Sequence, residues 1–137
     1  MKISTRGRYA IDLMVHLALY DNGEPISVKD IAESEQISLK YLEQIVSMLQ
    51  KAGFVKSIRG AQGGYRLKRN PEEYSVGEIL RVTEGDLAPV SCIEEGDVGC
   101  AHKATCSTVK IWKELNAAIN GVVDNISLAD LVEWNRK

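Results

Sequence analysis

The chain has 137 residues, 45% of them hydrophobic and 26% charged, with a net charge of −2, enough for one core and too few for two independent domains. No apolar run is long enough to cross a bilayer, and Met1-Lys2-Ile3-Ser4-Thr5-Arg6 lacks the features of a signal peptide, so the expected location is the cytoplasm. The charge is divided: residues 1–69 carry 11 Lys and Arg against 7 Asp and Glu, residues 70–137 carry 6 against 12, and a local basic region is what phosphates feel over a Debye length of about 8 Å.

A first helix is expected from about Gly7 to Tyr20, with Ala10, Leu13, Met14, Leu17 and Ala18 on one stripe and Ile11, Val15 and Leu19 on another. A helix apolar on so many sides is central in its fold. His16, inside this pattern, reads as a packed and hydrogen-bonded side chain. Asp21-Asn22-Gly23 breaks the helix. Ser27-Val28-Lys29-Asp30 has the pattern of a capping box and opens a short helix to about Glu35. Ser38 is a good cap for a third helix that runs to about Ala52, where Gly53 stops it. Two short helices joined tightly behind a buried one make a helix-turn-helix core. In the third helix Leu39, Leu42, Ile45, Val46 and Leu49 are expected inside, with Lys40, Tyr41, Gln44, Ser47 and Lys51 opposite. That polar face suits the DNA major groove, where Gln pairs with adenine and Lys with guanine or phosphate; an ordinary amphipathic surface helix has the same appearance. Glu43 either accepts from a cytosine amino group or disfavours wrong sequences.

Two extended runs, Phe54–Arg59 and Tyr65–Leu67, flank Gly60-Ala61-Gln62-Gly63-Gly64 and predict a β-hairpin. Directly after the third helix, this is the wing of a winged helix, with Arg59 placed for a minor groove or for phosphates. Lys56, Arg59, Arg66, Lys68 and Arg69 lie in this stretch with no acid among them, a basic patch or a solvated hairpin. The spacings of nucleotide-binding glycine loops are missing. Ser75-Val76-Gly77-Glu78 is a second capping box, opening a helix to about Thr83. The three cysteines fall together, Cys92 and Cys100 in the loop from Asp86 to Thr105 and Cys106 directly after it. Their odd number points away from a disulfide framework and towards metal or redox chemistry. A long helix from about Ser107 to Asp124 carries Val109, Trp112, Ile119, Val123 and, just beyond it, Ile126 on one stripe, with Ile111, Leu115, Ala118 and Val122 beside it. So wide an apolar face needs cover, most simply from a two-fold partner, otherwise from its own domain. Ser127 and Asp130 cap a last helix through Trp134.

The expected fold is mainly α with a small β-hairpin wing, a winged helix-turn-helix with a long C-terminal dimerisation helix. Residues 1–84 form the DNA-binding part, 85–106 the cysteine loop, and 107–137 the dimerisation and C-terminal helices, in one continuous unit. No catalytic constellation stands out, and an enzyme is not expected.

The stretches Met1–Ala10, Ile37-Ser38-Leu39-Lys40-Tyr41-Leu42-Glu43-Gln44 and Ser57-Ile58-Arg59-Gly60-Ala61-Gln62-Gly63-Gly64-Tyr65 resemble the Rrf family of bacterial transcription regulators. The resemblance spans essentially the whole chain and implies a homodimer on a near-palindromic operator. It places the DNA-reading residues at Ser38, Lys40, Tyr41, Glu43 and Gln44 on the recognition helix and Arg59 on the wing. Within the family the chain looks most like the iron–sulfur cluster regulators, in which three cysteines hold a [2Fe–2S] cluster; here these are Cys92, Cys100 and Cys106. The first gap is longer than in those relatives, and where they place a ligating His, three residues after the last cysteine, this chain has Val109. His102, Glu94, Glu95, Asp97, or Asp12 from the partner's first helix, are the candidates for a fourth ligand; position 8, acidic in the family's nitric-oxide sensors, is Arg8. Alternatives are a thiol-based regulator, a zinc site of the three cysteines with His102, and a winged-helix module that binds protein.

Overall fold

The structure is a computed structural model that describes residues 2–94 and 106–136. Cys100 and the candidate ligands His102, Glu95 and Asp97 lie outside the described residues.

Helix α1 spans Thr5–Leu19 and begins two residues earlier than its apolar stripe suggests, because the Ser4 hydroxyl accepts from the Gly7 amide. Ala10, Leu13, Met14 and Leu17 are buried, and Tyr9, Ile11, Val15 and Ala18 pack partly against the same core. Helix α2, Val28–Glu35, is capped by Ser27 through the Asp30 amide and ends at Gln36. Gln36 is a non-glycine residue with φ 58°, and its left-handed turn aims the chain into α3, Leu39–Lys51. Ser38 caps α3 through the Tyr41 amide at 3.4 Å. Leu42, Ile45, Val46 and Leu49 are buried at helical spacing as the pattern requires, each contributing about 1.5–3 kcal/mol of burial. Leu39, expected inside, is 41% exposed; it is the first residue of α3 and lies before the inward stripe has begun.

Strands β1, Val55–Ile58, and β2, Gly64–Leu67, pair antiparallel with Val55 opposite Leu67 and Ile58 opposite Gly64. A bridge between Ile26 and Tyr65 adds a third, one-residue edge, with amide–carbonyl bonds of 2.8 and 3.0 Å. This contact explains Gly64, where a Cβ would collide with the Ile26 carbonyl, while one on Gly63 would collide with the Ile58 carbonyl inside the hairpin itself. After a 3₁₀ turn at Pro71–Glu73, helix α4, Val76–Glu84, opens with the reciprocal Ser75–Glu78 capping box. A second 3₁₀ turn, Ser91–Ile93, carries Cys92.

Helix α5, Val109–Val123, contains no buried residue, and its main element contact is with α4. The chain then returns: α6, Leu128–Arg136, packs on α1, with Leu128 fully buried in the main core and Ser75 bridging Ser127. A smaller cluster of Val76, Leu80 and Leu87 receives Ile119, Val123 and Ile126. Mainly helical, with one hairpin after the third helix, the molecule is a winged helix-turn-helix.

Candidate nucleic-acid interface and cysteine site

The buried stripe of α3 leaves Lys40, Glu43 and Gln44 exposed on the other side, spaced so that they are neighbours on one face. At about 1.5 Å per residue α3 is roughly 20 Å long, and a groove about 12 Å wide admits a helix. Ser38, exposed, uses its hydroxyl as the cap of α3. Tyr41 departs from the polar face on which the pattern puts it. Its ring is half-buried and meets Tyr9 edge to face at 5.7 Å, because position 41 borders the inward stripe.

The wing is tied to the recognition helix along β1 and held together at its base. Gln50 of α3 donates to the Ser57 hydroxyl at 3.4 Å. At the base of the wing, buried Tyr74 accepts from the Lys68 and Arg69 amides at 3.1 and 3.0 Å and donates to the Phe54 carbonyl at 2.6 Å. The basic stretch separates into two groups by geometry. Arg66 pairs with Asp21 at 3.1 Å, and Arg69 lies over the Phe54 and Tyr74 rings at 5.2 and 4.4 Å. The Gly23 amide, with Arg66 behind it, holds the Asp21 carboxyl below its ordinary range. Lys56, Arg59 and Lys68 are exposed, and these remain for an anionic partner. Sequence patterning foresaw the basic stretch but not this division, since it depends on rings and carboxylates brought in from other elements.

At the other end of the molecule Cys92 is half-buried, Cys106 is exposed, and both are free thiols. The Cys106 sulfur lies 3.3 Å from the Thr108 hydroxyl. That hydroxyl, helped by the amides of Thr108 and Val109 at the start of α5, holds the Cys106 thiol below its usual range. A thiolate is the form that ligates iron or zinc and the form that reacts with oxidants. The donor chemistry of Cys92 and Cys106 therefore suits a thiolate-bound metal group, with Cys100 outside the described residues. Among the described residues no three ligating side chains converge. Asp12 lies on the outer side of α1, exposed as a residue, while partial desolvation of its carboxyl and nearby Glu35 raise it above its ordinary range, with Arg8 opposing. Exposed Glu94 closes the turn that carries Cys92. His16 is a packing residue, as its position in the apolar pattern suggests: 6% exposed, 3.1 Å from the Glu35 carboxylate and tilted against Tyr20.

The apolar face of α5 is open in the single chain. Ile111 is 50% exposed, Leu115 37% and Val122 58%. Beside it, a groove of about 630 Å³ is lined mainly by Ile3, Leu80, Leu87, Ile119 and Val122. Among the described residues no helix is long and apolar enough to cross a membrane.

Comparison with known proteins agrees with this geometry. The sequence profile of the Rrf2 family, described as iron-dependent transcriptional regulators, matches residues 3–134. The HTH-type transcriptional regulator IscR of Aliivibrio salmonicida is 39% identical over 98% of this chain and 79% of its own length. The structure of CymR, the global cysteine regulator of B. subtilis, superposes with a TM-score of 0.82 at 40% identity over 98% of both chains. T. potens IscR superposes with a TM-score of 0.77 at 40% identity, over 97% of this chain and 87% of that one. These relatives are transcriptional regulators, not enzymes.

Proposed function

The chain belongs to the Rrf2 family of transcriptional regulators, and from that premise we propose that it is a cytoplasmic homodimer binding a near-palindromic DNA operator under control of an iron–sulfur cluster. The observation that carries the DNA-binding half is the exposed face Lys40, Glu43 and Gln44 on α3, followed at once by a wing whose Arg59 and Lys56 are exposed and, among the described residues, in no ion pair. Gln44 and Lys40 meet base edges, Glu43 accepts from a cytosine amino group, and Arg59 enters the adjacent minor groove. Ser38 and Tyr41 act from the start of the same helix: the Ser38 hydroxyl holds the amide of Tyr41, and the Tyr41 ring braces the face against Tyr9. The open face of α5 is covered by the same helix of a second copy, which spaces the two recognition helices for two half-sites.

Cys92, Cys100 and Cys106 are the cluster ligands in this reading, and the lowered thiol of exposed Cys106 supports it. A bound [2Fe–2S] cluster supplies a group sensitive to oxidants and to iron supply. Glu94 and Asp12 are the described candidates for a fourth ligand, Asp12 from the partner chain. A second reading, a thiol-based regulator without a cluster, is favoured by the same exposed Cys106 and by the similarity to a cysteine regulator.

One experiment tests the reading and its alternative together. Protein purified without oxygen is analysed for visible absorption, iron and sulfide, and for salt-dependent binding to duplex DNA. Charge-transfer bands with iron and sulfide, lost in Cys92→Ala, are expected. A colourless protein that cannot be reconstituted refutes the cluster and leaves the thiol reading. Binding without a steep salt slope refutes the DNA reading itself.

A further inference from the structure

Among the described residues, helix α5 is fastened to the winged domain (the head) mainly through its carboxy-terminal half. Its carboxy-terminal half contributes Ile119 and Val123 to the small cluster on α4, while Ile111 and Leu115 in its amino-terminal half are exposed. Among the described residues, the polar part of the fastening centres on Arg81. Arg81 of α4 donates from Nη1 to Asp124 Oδ1 at 2.6 Å and from Nη2 to Asp124 Oδ2 at 3.1 Å, and Nη2 also reaches Asn120 Oδ1 at 2.7 Å. A planar guanidinium engaged at three oxygens, on the last turn of α5 and on its capping residue Asp124, fixes direction as well as distance, which a single-point ammonium cannot do. The backbone has been cleared for it: a Cβ on Gly77, one turn before Arg81, would collide with Asp124 and the Arg81 guanidinium.

The clasp also adjoins the cysteine segment. A cavity of about 480 Å³ is lined by Arg81, Gly85, Asp86, Ile93, Asn116 and Asn120, and Ile93 follows Cys92 directly. Into this region falls the Asn116 side-chain oxygen, buried and, among the described residues, without a hydrogen-bond partner. From Val109 to Val123, α5 is about 21 Å long, so a tilt of roughly 5° at the clasp displaces its cysteine-bearing end by about 2 Å.

We propose that Arg81, by clasping Asp124 and Asn120, sets the angle between α5 and the head and thereby determines the half-site spacing that the dimer accepts. Arg81 is a positioning residue and need not touch DNA. The inference rests on the dimeric DNA-binding reading above, since only a dimer converts that angle into a distance between two recognition helices.

The test uses the full chain and a duplex enriched by the wild-type protein from a random-sequence pool. Binding is measured to that duplex, to versions with one base pair inserted or removed between the half-sites, and to a single half-site. One base pair separates the half-sites by about 3.4 Å and rotates them by about 34°. The wild type is expected to prefer its own spacing by about tenfold or more. Arg81→Met is expected to reduce that preference to about threefold or less while leaving single-half-site binding unchanged. Arg81→Lys should fall between, and Asp124→Asn, which keeps the side chain's size, should follow Arg81→Met. Circular dichroism of each variant establishes that the helices are intact, and Asp124→Asn serves if Arg81→Met does not fold. Equal weakening at every spacing, or an unchanged preference in both variants, overturns the proposal. A wild-type protein that is monomeric or enriches no duplex defeats the dimeric reading first, and that failure is visible before any variant is made.

Discussion

Removing a single oxygen atom, in Tyr74→Phe, tests whether the wing is pinned as described. The Tyr74 hydroxyl joins three backbone groups from two sides of the wing base: the amides of Lys68 and Arg69 and the carbonyl of Phe54. Two of these keep a partner without it, because the Lys68 amide also donates to the Phe54 carbonyl at 3.3 Å. The Arg69 amide loses the acceptor at 3.0 Å that the hydroxyl provides. The edge-to-face contact with Phe54 at 5.6 Å and the Arg69 guanidinium over the ring survive, since the ring remains. One part-buried donor without an acceptor, together with the lost hydroxyl bonds, costs about 2 kcal/mol. For a chain of this size that lowers Tm by about 6–8 °C. Thermal unfolding followed by circular dichroism, at one protein concentration for both proteins, measures it. A Tm within about 2 °C of wild type would refute the reasoning, and would mean that ring packing alone holds the wing base.

Four further outcomes follow from particular residues. Gly64→Ala should lose about 1–3 kcal/mol through overpacking against Ile26, and urea unfolding midpoints will show a destabilised protein unless the edge bridge is dispensable. Gln36→Gly relieves a left-handed non-glycine residue and should raise stability by about 0.5–1 kcal/mol; an unchanged or lower midpoint would contradict that. Thr108→Val removes the hydroxyl that favours the Cys106 thiolate, so the pH profile of Cys106 alkylation in metal-free Cys92→Ser/Cys100→Ser protein should move to higher pH. The sign is fixed by the bond: the hydroxyl stabilises the charged form, and its loss returns the thiol towards its ordinary range; no shift would refute the contact. Ile111→Glu places a charge on the exposed face of α5 and should convert a dimer to monomer by sedimentation, whereas a surface not used for association would tolerate it.

How much was legible in the sequence varies with the range of the interaction. Periodicity located α1, α3 and the stripe Leu42, Ile45, Val46 and Leu49, because each helix repeats its inward face every three or four residues. Caps at Ser27, Ser38 and Ser75 were readable because a hydroxyl and an amide three residues on lie in one local segment. The exposed Lys40, Glu43, Gln44 and Arg59 were likewise where pattern put them. What escaped is tertiary. Tyr74 looks like any apolar aromatic until Phe54 and Arg69 come to it, and Arg81 looks like a solvated helix cation until Asp124 arrives from 43 residues away. The left-handed Gln36 was hidden for the opposite reason, since such turns usually announce themselves with glycine or asparagine.

The path of the chain through α5 has a consequence for how such proteins are recombined. The helix leaves the head after the cysteine segment and the chain comes back, so that Leu128 and Val132 are buried beneath α1 and its neighbours. The winged domain and the cysteine segment are thus interleaved along the chain, not arranged in series. A chimera that joins one regulator's amino-terminal part to another's carboxy-terminal part would import a foreign piece of hydrophobic core along with the cysteine segment. Exchange that respects the architecture needs two junctions, one before the cysteine segment and one at the turn after α5, so that α6 stays with the head it completes.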